Sequence, residues 1–244
     1  MRIDKRKPDQ LRELSFVPDF QKHPAGSVLS SFGNTRVICS ASVVQGVPRW
    51  MMNAGQPGGW ITAEYQMLPG ATADRVQRDI ARGRPSGRSS EIQRLVGRAL
   101  RAVVDLEKLP AKTIYVDCDV LDADGGTRCA AVTGGCVALE MALHRMFKQG
   151  VISAWPMKAR VGAISVGIVN GRVLLDLCYA EDAEAEVDMN VVMTSTGKFV
   201  EIQGTAESDP FDNRQLQDML DAARNAIRTI CERQKETVQN HSIE

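Results

Sequence analysis

Two short turns constrain how this chain can fold. SVLSSFGNTRVICSASVV carries Gly33-Asn34 between two β-rich runs, and VGAISVGIVNGRVLLDLCY carries Asn170-Gly171 in the same setting. Glycine and asparagine accept the positive φ that tight hairpin turns require, so each stretch predicts two antiparallel strands. In the first hairpin Val37, Cys39 and Ala41 fall on one face of the second strand. One hairpin in each half of the chain hints at two structurally similar halves.

The segments between and after the hairpins supply more strands and the helices to cover them. GGWITAEYQML reads as a strand, and TIYVDCDVL alternates Ile114, Val116, Cys118 and Val120 against Tyr115, Asp117 and Asp119, as a half-buried strand should. A helix is expected from about Glu91 to Leu106, with Ile92, Leu95, Val96, Ala99, Leu100, Val103 and Leu106 inward and Ser90 with Gln93 as its capping box. CVALEMALHRMFKQG reads as a buried helix stopped by Gly150, and Asn213 to about Glu236 as an amphipathic one. VDMNVVMTSTGKFVEIQG gives two strands around residues 195–197. No linker-like stretch separates the halves, so the expected architecture is α+β, one unit over residues 1–244 with sheets covered by helices. A chain of 244 residues, 43% hydrophobic, can bury the core this needs.

Formal net charge is zero, yet the charges are segregated. Residues 75–101 hold eight arginines against Asp79 and Glu91, whereas residues 176–188 hold six acids and no base. The first can hold polyanions and the second a divalent cation. Six scattered cysteines without a C-x-x-C pair indicate neither a zinc site nor a disulfide framework, and His23, His144 and His241 lie far apart. No stretch reaches the length of a signal-peptide core or a membrane span, so a cytoplasmic protein without a membrane partner is expected.

Three stretches carry chemistry. In DADGGTRCAAVTGG, Gly125 and Gly126 let backbone N–H groups approach an anion, Thr127 offers a hydroxyl and Arg128 a planar fork that suits phosphate. Arg88, in RPSGRSSEIQRL, stands where its guanidinium can share an anion with a helix N-terminus. Arg94, Arg98 and Arg101 form a stripe along that helix, read as solvated or as a subunit contact. In EDAEAEVDMN, Asp182 and Asp188 supply the two carboxylates usually needed to hold magnesium beside a phosphate.

GRSSEIQRLVGRALRAVVDL, DCDVLDADGGTRCAAVTGG, YAEDAEAEVDMNVVMT and KFVEIQGTAE together resemble the bacterial ribonuclease PH family, and RKPDQLRELSF, QGVPRW and GGWITAEYQMLPGAT extend the resemblance over almost the whole chain. The resemblance implies a ribosomal-protein-like βαβ fold shared with polynucleotide phosphorylase and exosome ring subunits. It implies a phosphate-dependent 3′-to-5′ exoribonuclease that trims transfer RNA precursors and ribosomal RNA 3′ ends, reversibly, as a nucleotidyltransferase. Inorganic phosphate is then a co-substrate, bound by Arg88, Gly126, Thr127 and Arg128. Magnesium or manganese is held by Asp182 and Asp188, which also assist catalysis. Arg75 and Arg78 are implied to lie near RNA and subunit contacts in a homohexamer, a trimer of dimers.

The chain departs from the family at Gly70, where arginine is usual, and in MRIDKRKP, which lacks the usual Ser-Gly pair ahead of Arg6. A catalytically silent ring subunit that only binds RNA would be expected to have lost the arginines or the aspartates, and both sets are present. A hydrolytic nuclease would need a second metal cluster that the sequence does not offer.

Overall fold

A computed structural model describes residues 2–242, without the side chains of Ile80, Arg82 and Ser242, so the Arg82 charge counted above lies outside the described residues. In chain order the elements are β1 (Leu14–Pro18), β2 (Gly26–Phe32), β3 (Thr35–Gln45), α1 (Arg49–Asn53), β4 (Trp60–Met67), α2 (Gly87–Ala102), β5 (Lys112–Asp122) and α3 (Thr127–Lys148). They continue with β6 (Val161–Val169), β7 (Arg172–Leu175), α4 (Tyr179–Asp182), β8 (Val187–Thr194), β9 (Phe199–Ala206) and α5 (Asn213–Ser242). Both expected hairpins form, as β2–β3 and β6–β7. Asn170 and Gly171 take φ of 49° and 69°, the left-handed pair that a two-residue hairpin turn demands.

The strands make two sheets, in the orders β1-β2-β3-β5-β4 and β7-β6-β8-β9. All neighbours are antiparallel except β4 and β5, which run parallel and are joined across α2 as a parallel pair must be. Helix α3 packs against β2, β3 and β5 on one side and β6 on the other, which is why its residues from Cys129 to Leu143 are buried almost without interruption. Helix α5 covers the second sheet, and Gln234 pins it by donating to the carbonyls of Thr133 and Val161, each at 2.9 Å. The architecture is therefore α+β, two sheets covered by helices.

Four helix boundaries differ from those expected, one of them the end of α2, which stops at Ala102 rather than Leu106, with Leu106–Lys108 forming a separate short 3-10 turn. Helix α2 begins at Gly87, four residues before Glu91, and its cap is Ser86, whose side chain accepts from the Ser89 N–H at 3.0 Å. The expected Ser90–Gln93 capping box is thereby replaced, because the first turn, GRSS, has no apolar residue to announce it. Helix α3 begins at Thr127 rather than after the second glycine pair. Burial between two sheets overrides the weak helix propensity of Gly134 and Gly135. Helix α5 runs on to Ser242, with Val238 buried beyond the expected end.

Candidate active site

The carboxyl ends of a parallel strand pair are where α/β sheets usually leave a crevice for ligands. Here β4 and β5 end at Met67 and Asp122, and a cavity of about 490 Å³ opens there. Its wall includes Tyr65, Ser86, Arg88, Ser89, Gly125, Gly126, Thr127 and Asp182. The starts of α2 and α3 thus converge on one space. The first N–H groups of a helix lack intrahelical acceptors and carry the positive end of its dipole, so two such ends form an anion site.

Arg88 stands in the first turn of α2, exposed to the cavity, rather than two residues ahead of a helix starting at Ser90. Gly126 caps α3 with φ of 69°, and Gly125 has φ of 73°. A Cβ on Gly125 would lie 2.6 Å from the Leu177 carbonyl oxygen, so only glycine lets this loop press against the backbone leading into α4. Thr127 is buried, and its Oγ1 shares a hydrogen bond with Tyr65 Oη at 2.8 Å. Burial raises the Tyr65 phenol against the opposing effects of Thr127, Arg88 and Arg128, so it stays protonated and can donate. Arg128 stands beside the cavity lining, its Nη1 donating to Glu91 Oε1 at 3.0 Å and to Gln203 Oε1 at 2.6 Å.

The two aspartates come from the second sheet and its α4 lead-in. Asp182 ends α4 and lines the cavity; desolvation pushes its carboxyl up, against the pull of Arg88 and Arg128. Asp188 lies in β8, where its Oδ2 accepts from Asn190 Nδ2 at 3.4 Å and its buried Oδ1 has no partner among the described residues. Burial first, then the neighbouring Asp182, pushes Asp188 up to about 6. Among the described residues no three His, Cys, Asp or Glu side chains gather to hold a metal alone. Two adjacent carboxylates with one orphaned buried oxygen do fit a divalent cation that draws its other ligands from phosphate and water.

Arg75 and Arg78 are exposed on the segment that supplies Val76, Gln77 and Asp79 to the cavity wall, and neither lines it. The proposed arginine stripe on α2 is largely engaged within the molecule. Arg98 pairs with Glu201 at 2.7 Å, and Arg101 stacks on Trp60 while donating to the Ile61 carbonyl.

The acidic segment divides in a way its spacing did not show. Asp176 and Glu181 are buried structural anchors. Arg2 grips Glu181 through Nε and Nη2, each at 2.7 Å. Asp176 accepts from the Arg12 backbone N–H at 2.8 Å and from its Nη2 at 2.7 Å, and Arg12 also donates to the carbonyls of Asp124 and Gly125.

The 3′ exoribonuclease family (RNase PH) matches this chain in two consecutive parts, its domain 1 over residues 10–143 and its domain 2 over residues 159–226. The chain belongs to the 3′ exoribonuclease family. Its cavity lies where the two parts meet, lined by Arg88, Gly126 and Thr127 from domain 1 and by Asp182 from domain 2, while Arg128 and Asp188 are not part of its wall. Among solved structures, rice (Oryza sativa) Rrp46 is similar with a TM-score of 0.77 at 20% identity, over 97% of this chain and 100% of that one. A chain of an archaeal exosome core has a TM-score of 0.75 at 22% identity, over 96% and 91%. A chain of an Archaeoglobus fulgidus exosome with RNA bound to the active site has the same score and identity, over 95% and 91%. At such identities the likeness establishes the shared fold. No helix among the described residues is long and apolar enough to cross a membrane.

Tyr65, Ser86, Arg12, Glu91 and Gln203 were not singled out from sequence. Glu91, one helical turn after Arg88, carried a legible signal in its i, i+3 spacing; the others meet the site only through the fold.

Proposed function

We propose that this chain is a phosphorolytic 3′-to-5′ exoribonuclease of the ribonuclease PH type, using inorganic phosphate to remove the last nucleotide of RNA. The observation that carries this reading is the convergence of two helix N-termini and Arg88 on a cavity that Asp182 also lines. A hydrolase has no use for a second oxyanion cradle beside its carboxylates, whereas phosphorolysis needs the attacking phosphate held and oriented. An oxygen of that phosphate attacks the terminal phosphodiester phosphorus, and the bond to the ribose 3′-oxygen breaks. The products are a nucleoside 5′-diphosphate and an RNA one nucleotide shorter, whose 3′-oxygen takes up a proton. The reverse reaction shares the site and extends RNA from diphosphates.

In this reading Arg88, Arg128, Thr127 and the Gly126 backbone hold the phosphate, with Tyr65 donating to Thr127 so that the threonine hydroxyl can donate onward. Asp182 and Asp188 hold magnesium or manganese, which would offset charge on the scissile phosphate. Arg75 and Arg78 contact RNA or a neighbouring subunit in a homohexamer. The natural substrates are transfer RNA precursors and ribosomal RNA 3′ ends, in the cytoplasm.

Incubating a short RNA with the protein and magnesium, with and without inorganic phosphate, tests the reaction. Nucleoside 5′-diphosphates are expected only with phosphate. Phosphate-independent products, or RNA binding without products, would overturn it.

A further inference from the structure

The bonding of Arg128 gives work to two residues that the proposed reaction leaves unused. A guanidinium offers five N–H donors in a rigid plane. Both hydrogens of Arg128 Nη1 are engaged, one by Glu91 Oε1 at 3.0 Å and one by Gln203 Oε1 at 2.6 Å. Gln203 Nε2 closes the triangle by donating to the same Glu91 oxygen at 3.2 Å. Among the described residues Nη2 and Nε have no partner, and the edge between them presents two parallel N–H groups that match two phosphate oxygens. The Arg128 side chain is 14% exposed, and its neighbour Thr127 lines the cavity.

Stability alone does not account for the triangle. The Glu91 side chain is 35% exposed, and pairs at such positions contribute little to folding. Its geometry, by contrast, spans the site. Glu91 shares α2 with Arg88, Arg128 opens α3, and Gln203 lies in β9 opposite Asn190, two residues from Asp188 on β8.

We propose that Glu91 and Gln203 are positioning residues that hold one nitrogen of Arg128, aiming its free edge at inorganic phosphate. The proposal rests on the reading of the cavity as a phosphate site. Glu91 has two opposed effects: its acceptor oxygen orients Arg128, and its charge weakens the attraction of Arg128 for an anion. Substitutions can separate them. Glu91→Gln keeps an acceptor and removes the charge, whereas Glu91→Ala removes both.

The test measures inorganic phosphate binding by calorimetry and the phosphate KM on a short RNA, in the full chain. Glu91→Ala and Gln203→Leu should each weaken phosphate about tenfold, the scale of a misaimed binding group, with the RNA KM unchanged. Glu91→Gln should bind phosphate as tightly as wild type or more so. In an Arg128→Ala background, Glu91→Ala should have no further effect, because the glutamate acts through the arginine. A Glu91→Ala effect of equal size in that background, or unchanged phosphate binding in both single variants, would overturn the proposal. Phosphate binding by wild type without phosphate-dependent cleavage would leave the clamp standing and overturn the reaction. No phosphate binding by wild type would overturn both.

Discussion

Arg88 is exposed, makes no ion pair among the described residues and stands at the start of a helix facing the cavity. Its replacement should therefore cost function and not fold. Arg88→Ala is expected to slow phosphorolysis about a hundredfold, as loss of one preorganised charge-stabilising donor does, with the melting temperature within about a degree of wild type. Steady-state kinetics with varied phosphate and a thermal melt check both halves. Asp188→Asn addresses the other side of the site. It is expected to abolish magnesium-supported turnover while leaving RNA binding nearly intact, since a cation ligand is lost and no polyanion contact is; activity over a magnesium titration, alongside RNA binding, decides it. Arg88 and residues 126–128 could be singled out as candidates because their motifs are local, each set by a few neighbouring letters at what proves to be a helix start. Tyr65 could not be, since its tie to Thr127 spans 62 residues and exists only after β4 and α3 have packed. Asp176 and Glu181 could not be told from Asp182 by composition, because burial by Arg2 and Arg12 distinguishes them.

The hairpins were legible as elements because turn chemistry and alternation agree, while two helix starts were not, because the polar first turn of α2 has no apolar period to read and Gly134-Gly135 interrupt the helical signal of α3. In β5 the alternation did more than locate a strand. It separated Asp117 from the apolar face, and the structure sets Asp117 in register with Glu64 of β4. Burial first, then Glu64 and Asp119, push the Asp117 carboxyl up to about 6. A carboxyl whose folded pKa lies above its unfolded value binds more protons when folded, so stability falls as pH rises from about 4 to above 6. Asp117→Asn removes that loss. The variant is expected to gain about 1 kcal/mol over wild type at pH 7, after allowing for solvent screening, and little at pH 4. Denaturant melts at the two pH values test this, and an equal gain at both would show that the charge is not the cause.

At the scale of the molecule, the proposed reaction needs a phosphate cradle from one half and carboxylates from the other held in fixed relation, and the N-terminal segment ties the two together. Arg12 is 8% exposed and Asp176 1%, so their ion pair at 2.7 Å lies out of water. Burial works most strongly against the Arg12 charge, but the hydrogen bond and charge of Asp176, with the charge of Asp124, together outweigh it and keep the guanidinium protonated. That guanidinium also holds the Asp124 and Gly125 carbonyls of the cradle loop, while Asp176 precedes α4, which ends in Asp182. Asp176→Asn leaves Arg12 buried without its counter-charge, which costs about 3–5 kcal/mol. For a chain of this size that is a fall of roughly 10 °C in melting temperature. If the pair also sets the cradle, the variant, assayed well below its melting point, should show a phosphate KM raised at least several-fold with the RNA KM little changed. A lower melting temperature with an unaltered phosphate KM would instead assign the pair to stability alone, because a loop freed from Arg12 cannot present Gly126 and Thr127 as before.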